Sequence, residues 1–152
     1  NALVVLFNRG GGRFGDERST PTGRRHRTLA LADLDEDGAL DAVTAHSTPG
    51  GISILLGNAG GTLRPHFEID TPYPPSALAS GDLNADAHLD LVFTYQNAGL
   101  AGVALGRGDG TFGALAEVRT GGQPSALALP DLDGDGWLDL VVVNTSSRTV
   151  SR

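Results

Sequence analysis

Apolar runs alternate along the chain with turns rich in glycine and aspartate, and the same succession keeps returning. Residues 1–8, with Leu3-Val4-Val5-Leu6-Phe7, read as a strand that leads through Gly10-Gly11-Gly12 to Phe14. Ile52 to Leu56 leads through Gly57-Asn58-Ala59-Gly60-Gly61 to Leu63, and Val103 to Leu105 leads through Gly106-Arg107-Gly108-Asp109-Gly110 to Phe112. Each predicts a hairpin whose glycines supply the left-handed conformations of a short turn. A second set of runs is built from small residues: Thr28-Leu29-Ala30-Leu31, Ala77-Leu78-Ala79 and Ala126-Leu127-Ala128-Leu129. A third set, residues 40–45, 89–95 and 138–143, is apolar almost throughout, as expected where both faces of a sheet are covered. Their length and β-branched content favour strand over buried helix. A weaker strand such as 115–119 completes the unit, and no helix is predicted.

Between the small-residue strand and the apolar strand lies a loop with its own chemistry. Asp131-Leu132-Asp133-Gly134-Asp135-Gly136-Trp137-Leu138-Asp139 places carboxylates at positions 1, 3, 5 and 9 and glycine at position 6. Alternate residues of a tightly curled loop point inward, so hard oxygen ligands converge, and the carbonyl at position 7 completes a shell suited to Ca²⁺. Glycine at position 6 permits the positive φ of a sharp reversal. The pattern occurs three times at a constant spacing of 49 residues: Asp33, Asp35, Asp37 and Asp41, then Asp82, Asn84, Asp86 and Asp90, then Asp131, Asp133, Asp135 and Asp139. The position-7 carbonyls belong to Ala39, His88 and Trp137. In the middle loop Asn84 removes a charge and Ala87 replaces the glycine, so weaker binding is expected there, and two to three ions in all.

A constant period of this length is the mark of a solenoid or propeller. Four strands in 49 residues is the size of a propeller blade, with the alanine-rich strand innermost, where blades taper. The repeats fall at about 1–49, 50–98 and 99–147, and residues 148–152 begin a further one. The chain contains no methionine and is expected to be a processed product or part of something longer. An EF-hand is excluded because its twelfth position, which requires a bidentate glutamate, holds Thr44, Phe93 and Val142. Nine-residue calcium repeats are excluded by the period.

These loops and the turn Gly106-Arg107-Gly108-Asp109-Gly110-Thr111-Phe112-Gly113 resemble the FG-GAP or VCBS repeat family, whose best-known members are the integrin α-subunit propellers. The resemblance implies an all-β fold of four-stranded antiparallel propeller blades, here about three, belonging to a larger or oligomeric propeller. It also implies Ca²⁺ in the loops and an extracellular role in adhesion or in glycan or protein binding, or as an appendage of a secreted enzyme. A structural assembly of blades is an alternative.

Composition alters this picture only at the margins. The net charge is −7, but eleven of the 18 acidic residues stand at positions 1, 3, 5 and 9 of the three loops, so the acidity reads as metal sites rather than a field for a basic partner. Nucleic acid is not expected as a partner. There is no cysteine to staple the fold, and no run approaches the roughly 18 apolar residues of a membrane span. No grouping of nucleophile, base or carboxylate pair outside the loops suggests catalysis, and no catalytic residue is assigned. Three bladed repeats do not readily close a ring, so partners are expected at both ends: further blades of the same protein, or a second copy giving six blades.

Other residues carry two readings each. Arg24, Arg25 and Arg27, with His26 among them, form the one basic cluster, either a solvated loop or a contact for an anion or acidic glycan. Trp137 either packs over a neighbouring strand or offers a stacking platform for a sugar, and Tyr73 and Tyr95 are undecided in the same way. Arg107-Gly108-Asp109 spells a tripeptide read by some integrins, but turn geometry already accounts for it. His46, His66 and His88 share no ligand spacing.

Overall fold

The computed structural model describes residues 1–22, 25–47, 50–146 and 149–151, and every regular element among them is a strand. β1 (Ala2–Asn8) and β2 (Phe14–Pro21) form a two-stranded sheet. β3 (His26–Ala32), β4 (Asp41–Ser47), β5 (Gly50–Leu56) and β6 (Arg64–Asp70) form a four-stranded sheet in chain order. β7 (Ala77–Gly81), β8 (Asp90–Tyr95), β9 (Leu100–Ala104) and β10 (Ala116–Arg119) repeat it, and β11 (Pro124–Ala128), β12 (Val141–Asn144) and β13 (Thr149–Ser151) form a third. All pairings are antiparallel. The chain is thus a series of meandering sheets of the expected propeller-blade kind.

Each of these last three sheets opens on an alanine-rich strand, and the opening strands meet: β7 contacts both β3 and β11. That is the place of an innermost strand, and small side chains are what let three sheets converge. Gly81 shows the constraint, since a Cβ there would stand 2.7 Å from the Leu138 Cδ1 of the next repeat.

The second strands are the most deeply covered. Every residue of β4 except Ser47, and every residue of β8, is buried. Their apolar runs therefore reflect cover on both faces, as the sequence pattern requires. The main core lies between the two complete sheets, with Val43, Ala45, Ile52, Ile54 and Ile69 on one side and Leu91, Phe93, Tyr95, Ala104 and Phe112 on the other. Tyr95 is fully buried, its ring edge-on to Phe93 and to the half-exposed Tyr73. Burial pushes its phenol well above the usual tyrosine range.

Candidate metal centre

The antiparallel meander brings the aspartate loops and the glycine hairpins to the same edge of each sheet, and the ninth loop residue joins them. Asp41 is completely buried; its Oδ2 accepts from Leu34 N–H at 2.8 Å and its Oδ1 from Gly57 N–H at 2.7 Å. Asp90 does the same with Leu83 at 2.8 Å and Gly106 at 2.7 Å, and Asp139 accepts from Leu132 at 3.0 Å. The ninth carboxylate is therefore a clamp between aspartate loop and hairpin. Gly57 and Gly106 are glycines because a Cβ at either would collide with the carbonyl of Leu40 or Leu89. Each oxygen of Asp41 and Asp90 keeps a second lone pair, so clamping and metal ligation are compatible.

Inside the loops the other carboxylates are oriented by backbone N–H groups. The position-6 amide donates to the first carboxylate: Gly38 to Asp33 at 3.0 Å, Ala87 to Asp82 at 2.9 Å and Gly136 to Asp131 at 3.0 Å. The position-7 amide donates to the fifth: Ala39 to Asp37 at 2.8 Å, His88 to Asp86 at 2.9 Å and Trp137 to Asp135 at 2.9 Å. Two left-handed residues make the curl possible. Gly38 and Gly136 fill position 6 as expected, while Ala87 stands there at φ 72°. Position 4 is also left-handed, at Glu36, Ala85 and Gly134, a feature visible in the sequence only as the glycine of the third loop. An alanine held there costs about 1 kcal/mol, which loop two bears twice.

In loop one, Asp33, Asp35 and Asp37 bring carboxylate oxygens within 4.8 Å of one another. Asp33 Oδ1 and Asp35 Oδ1 are buried and accept no hydrogen bond among the described residues. Buried anionic oxygens without donors are costly unless a cation meets them. Burial, followed by the charges of Asp41 and Asp37, raises the Asp35 pKa above its ordinary value. The donor set thus fits a hard divalent cation, held by Asp33, Asp35 and Asp37 with Asp41 adjacent. In loop three, Asp131, Asp133 and Asp139 converge within the same 4.8 Å, with Asp135 beside them. Loop two does not gather three carboxylates. Instead the Asn84 amide donates to Asp86 at 2.9 Å, in the place where a cation would neutralise it, and Asp86 is held below the usual carboxylate range by the His88 N–H and that amide.

Neighbouring repeats meet at these loops. Glu36 Oε1 lies 2.6 Å from His88 Nδ1, raising the imidazole pKa, and the Leu34 carbonyl accepts from Gly110 N–H at 3.0 Å. Sequence inspection could not pair Glu36 with His88, since each is ordinary within its own repeat.

The remaining candidates lie elsewhere. Trp137 is 53% exposed at the lip of loop three. Arg25 and Arg27 are exposed and line a small hollow with His26 and Ser47, while Arg24 lies outside the described residues. His46 is buried with its Nε2 3.2 Å from Glu68 Oε2, and the His66 side chain lies outside what is described. Asp109 caps its own turn through the hydroxyl of Thr111 at 2.6 Å and its N–H at 2.9 Å, which explains the tripeptide as turn chemistry.

No curated protein matches the chain. The FG-GAP-like repeat family matches it twice, over residues 33–93 and 82–142. Each match begins on the first residue of an aspartate loop and runs through the next loop into the apolar strand after it. Together they cover well over half of the sequence, and the chain belongs to the FG-GAP-like repeat family.

Proposed function

We propose that the chain is a calcium-binding β-propeller module of a secreted or cell-surface protein, serving adhesion or the binding of a glycan or protein ligand. The observation that carries this reading is the pair of buried, donorless carboxylate oxygens of Asp33 and Asp35 in loop one. Ca²⁺ would supply charge neutralisation and a rigid loop, and the chain's own residues supply the cage. Asp33, Asp35, Asp37 and Asp41, with the Ala39 carbonyl, would hold one ion. Asp131, Asp133, Asp135 and Asp139, with the Trp137 carbonyl, would hold another. Asp82, Asn84, Asp86 and Asp90, with the His88 carbonyl, form the weaker third. No catalytic role is proposed. The position of the loops at the junctions between sheets supports a stiffening role, with ligands taken by other surfaces.

Repeats of this family build propellers from several blades, and further blades of the same protein are the proposed neighbours of the outer sheets, a second copy being the alternative. Among the described residues no helix is long and apolar enough to cross a membrane. Calcium held as weakly as about 10⁻⁴ to 10⁻³ M fills sites only outside cells, so sites of that affinity would fit the extracellular assignment.

Calorimetric titration of the chelated chain with Ca²⁺, with light scattering on the same samples, tests the reading. Two to three ions per chain and a rise in thermal stability are expected, and Asp35→Asn should remove one ion. Absence of binding, or unchanged stoichiometry in that variant, refutes the assignment.

A further inference from the structure

The edge of the sheets opposite the metal loops carries the turns between second and third strands and the links from one sheet to the next. Two such junctions sit in equivalent places and differ in kind. Between β6 and β7 the link is Pro72-Tyr73-Pro74, seated on Gly50, where a Cβ would stand 3.1 Å from Tyr73 O and Pro74 N. The Tyr73 ring packs on Tyr95 with centroids 5.5 Å apart. In the next repeat, 49 residues on, the same three places hold Gly121-Gly122-Gln123. The bulk is gone, and an open groove of about 700 Å³ runs between this link and the turn at residues 96–99. That volume lies in the roughly 300–1,000 Å³ range of small-ligand sites.

The groove is lined by uncommitted donors. Arg119, exposed at the end of β10, makes no ion pair among the described residues. The Gln96 and Asn97 side chains form no hydrogen bond there, and the N–H groups of Gly121 and Gly122 donate to nothing among the described residues. Gln123 has only a long 3.5 Å contact from Thr145 to its amide oxygen, which leaves its NH₂ group available. Among the described residues no carboxylate lines the groove, and most of the acidic residues stand in the aspartate loops at the opposite edge. A guanidinium with backbone amides beside it takes a carboxylate in bidentate fashion, and primary amides both give and accept hydrogen bonds with hydroxyls. Among the described residues Leu100 is the one large apolar side chain of the lining, which offers little to the side chains of a peptide.

We propose that this groove binds an acidic saccharide. The carboxylate of a uronic acid lies on Arg119 and the Gly121 and Gly122 amides, and its hydroxyls on Gln96, Asn97 and Gln123. The proposal deepens the binding-module reading and rests on it, but uses none of the metal-loop residues.

The test is amide-resolved NMR titration of the calcium-loaded chain with trigalacturonic acid, and with its methyl ester as the uncharged control. Shifts confined to the 96–99 turn and the 119–123 link are expected, with binding at least about tenfold weaker for the ester and for Arg119→Ala. Gly122→Tyr, which restores the bulk of the preceding repeat while leaving Arg119 in place, should also weaken it about tenfold. Unchanged calcium stoichiometry in both variants separates this site from the loops. No binding at millimolar saccharide, equal binding of acid and ester, shifts centred on Arg25 and Arg27 or on the metal loops, or saccharide binding unaffected by both variants would each overturn the proposal. So would preference for a peptide carrying a C-terminal carboxylate over the saccharide. Calcium binding without saccharide binding would sink this inference and leave the proposed function standing.

Discussion

Replacing Asp41 by asparagine separates the clamp from the cage. Asp41 is fully buried and accepts two backbone N–H bonds, at 2.8 Å from Leu34 and 2.7 Å from Gly57. Asparagine keeps the shape but offers a single acceptor oxygen, and its NH₂ group must face one of the two N–H donors. One charge-assisted bond, worth about 1.5–3 kcal/mol, is lost, and a buried donor is left without a partner at a cost of about 1–3 kcal/mol; the two figures overlap, so the net is about 2–4 kcal/mol. The backbone has little room to relax, because Gly57 already lies against the Leu40 carbonyl. For a chain of 152 residues a loss of about 3 kcal/mol lowers Tm by roughly 6–12 °C. Guanidinium and thermal unfolding in EDTA measure the loss free of any metal contribution. Asp37→Asn is the control, since Asp37 accepts from Ala39 at an exposed position, and it should cost less than about 1 kcal/mol in EDTA. If Asp41→Asn falls within about 0.5 kcal/mol of the parent in EDTA and loses stability only when Ca²⁺ is present, the ninth residue acts as a ligand alone and the clamp is refuted.

Two further outcomes are expected. Gly102→Ala should cost about 1–3 kcal/mol in chemical denaturation, because the new methyl meets the buried Phe93 ring, whose Cζ lies 2.9 Å away; a neutral result would mean that the Phe93 ring has room to shift. The Thr111 hydroxyl and N–H hold Asp109 below the ordinary carboxylate value of 3.8. A depressed carboxylate pKa stabilises the fold above the unfolded value and loses that contribution as pH falls through the folded one. The gap in unfolding midpoint between the parent and Asp109→Ala should therefore be full at pH 7 and narrow toward pH 3, and a gap independent of pH would place the effect in turn geometry alone.

Much of the architecture is legible along the chain because it is local. Glycine-rich hairpins, alanine-rich strands and doubly covered apolar strands each follow from the chemistry of neighbouring residues, and the interval of 49 residues turned one such reading into three. The convergence of the aspartates at positions 1, 3 and 5 was legible for loop one, whereas loop three gathers positions 1, 3 and 9 and loop two gathers no three carboxylates. The left-handed fourth position was not, because Glu36 and Ala85 occupy it without the glycine that would announce it.

What the tertiary structure alone decided lies in contacts across strands and between sheets. The paired clamp of Asp41 with Gly57 and Leu34, the contact of Glu36 with His88 and the exchange of Thr44 opposite Ser53 for Phe93 opposite Gly102 all depend on how strands and sheets stack. So does the open junction between the 96–99 turn and the Gly121-Gly122-Gln123 link. The sequence by itself determined the blade, because a blade's hydrogen bonds and turns join residues close in the chain. It left undetermined what fills or opens the spaces between blades, since packing there depends on side-chain volumes about one repeat apart, which a periodic pattern does not constrain.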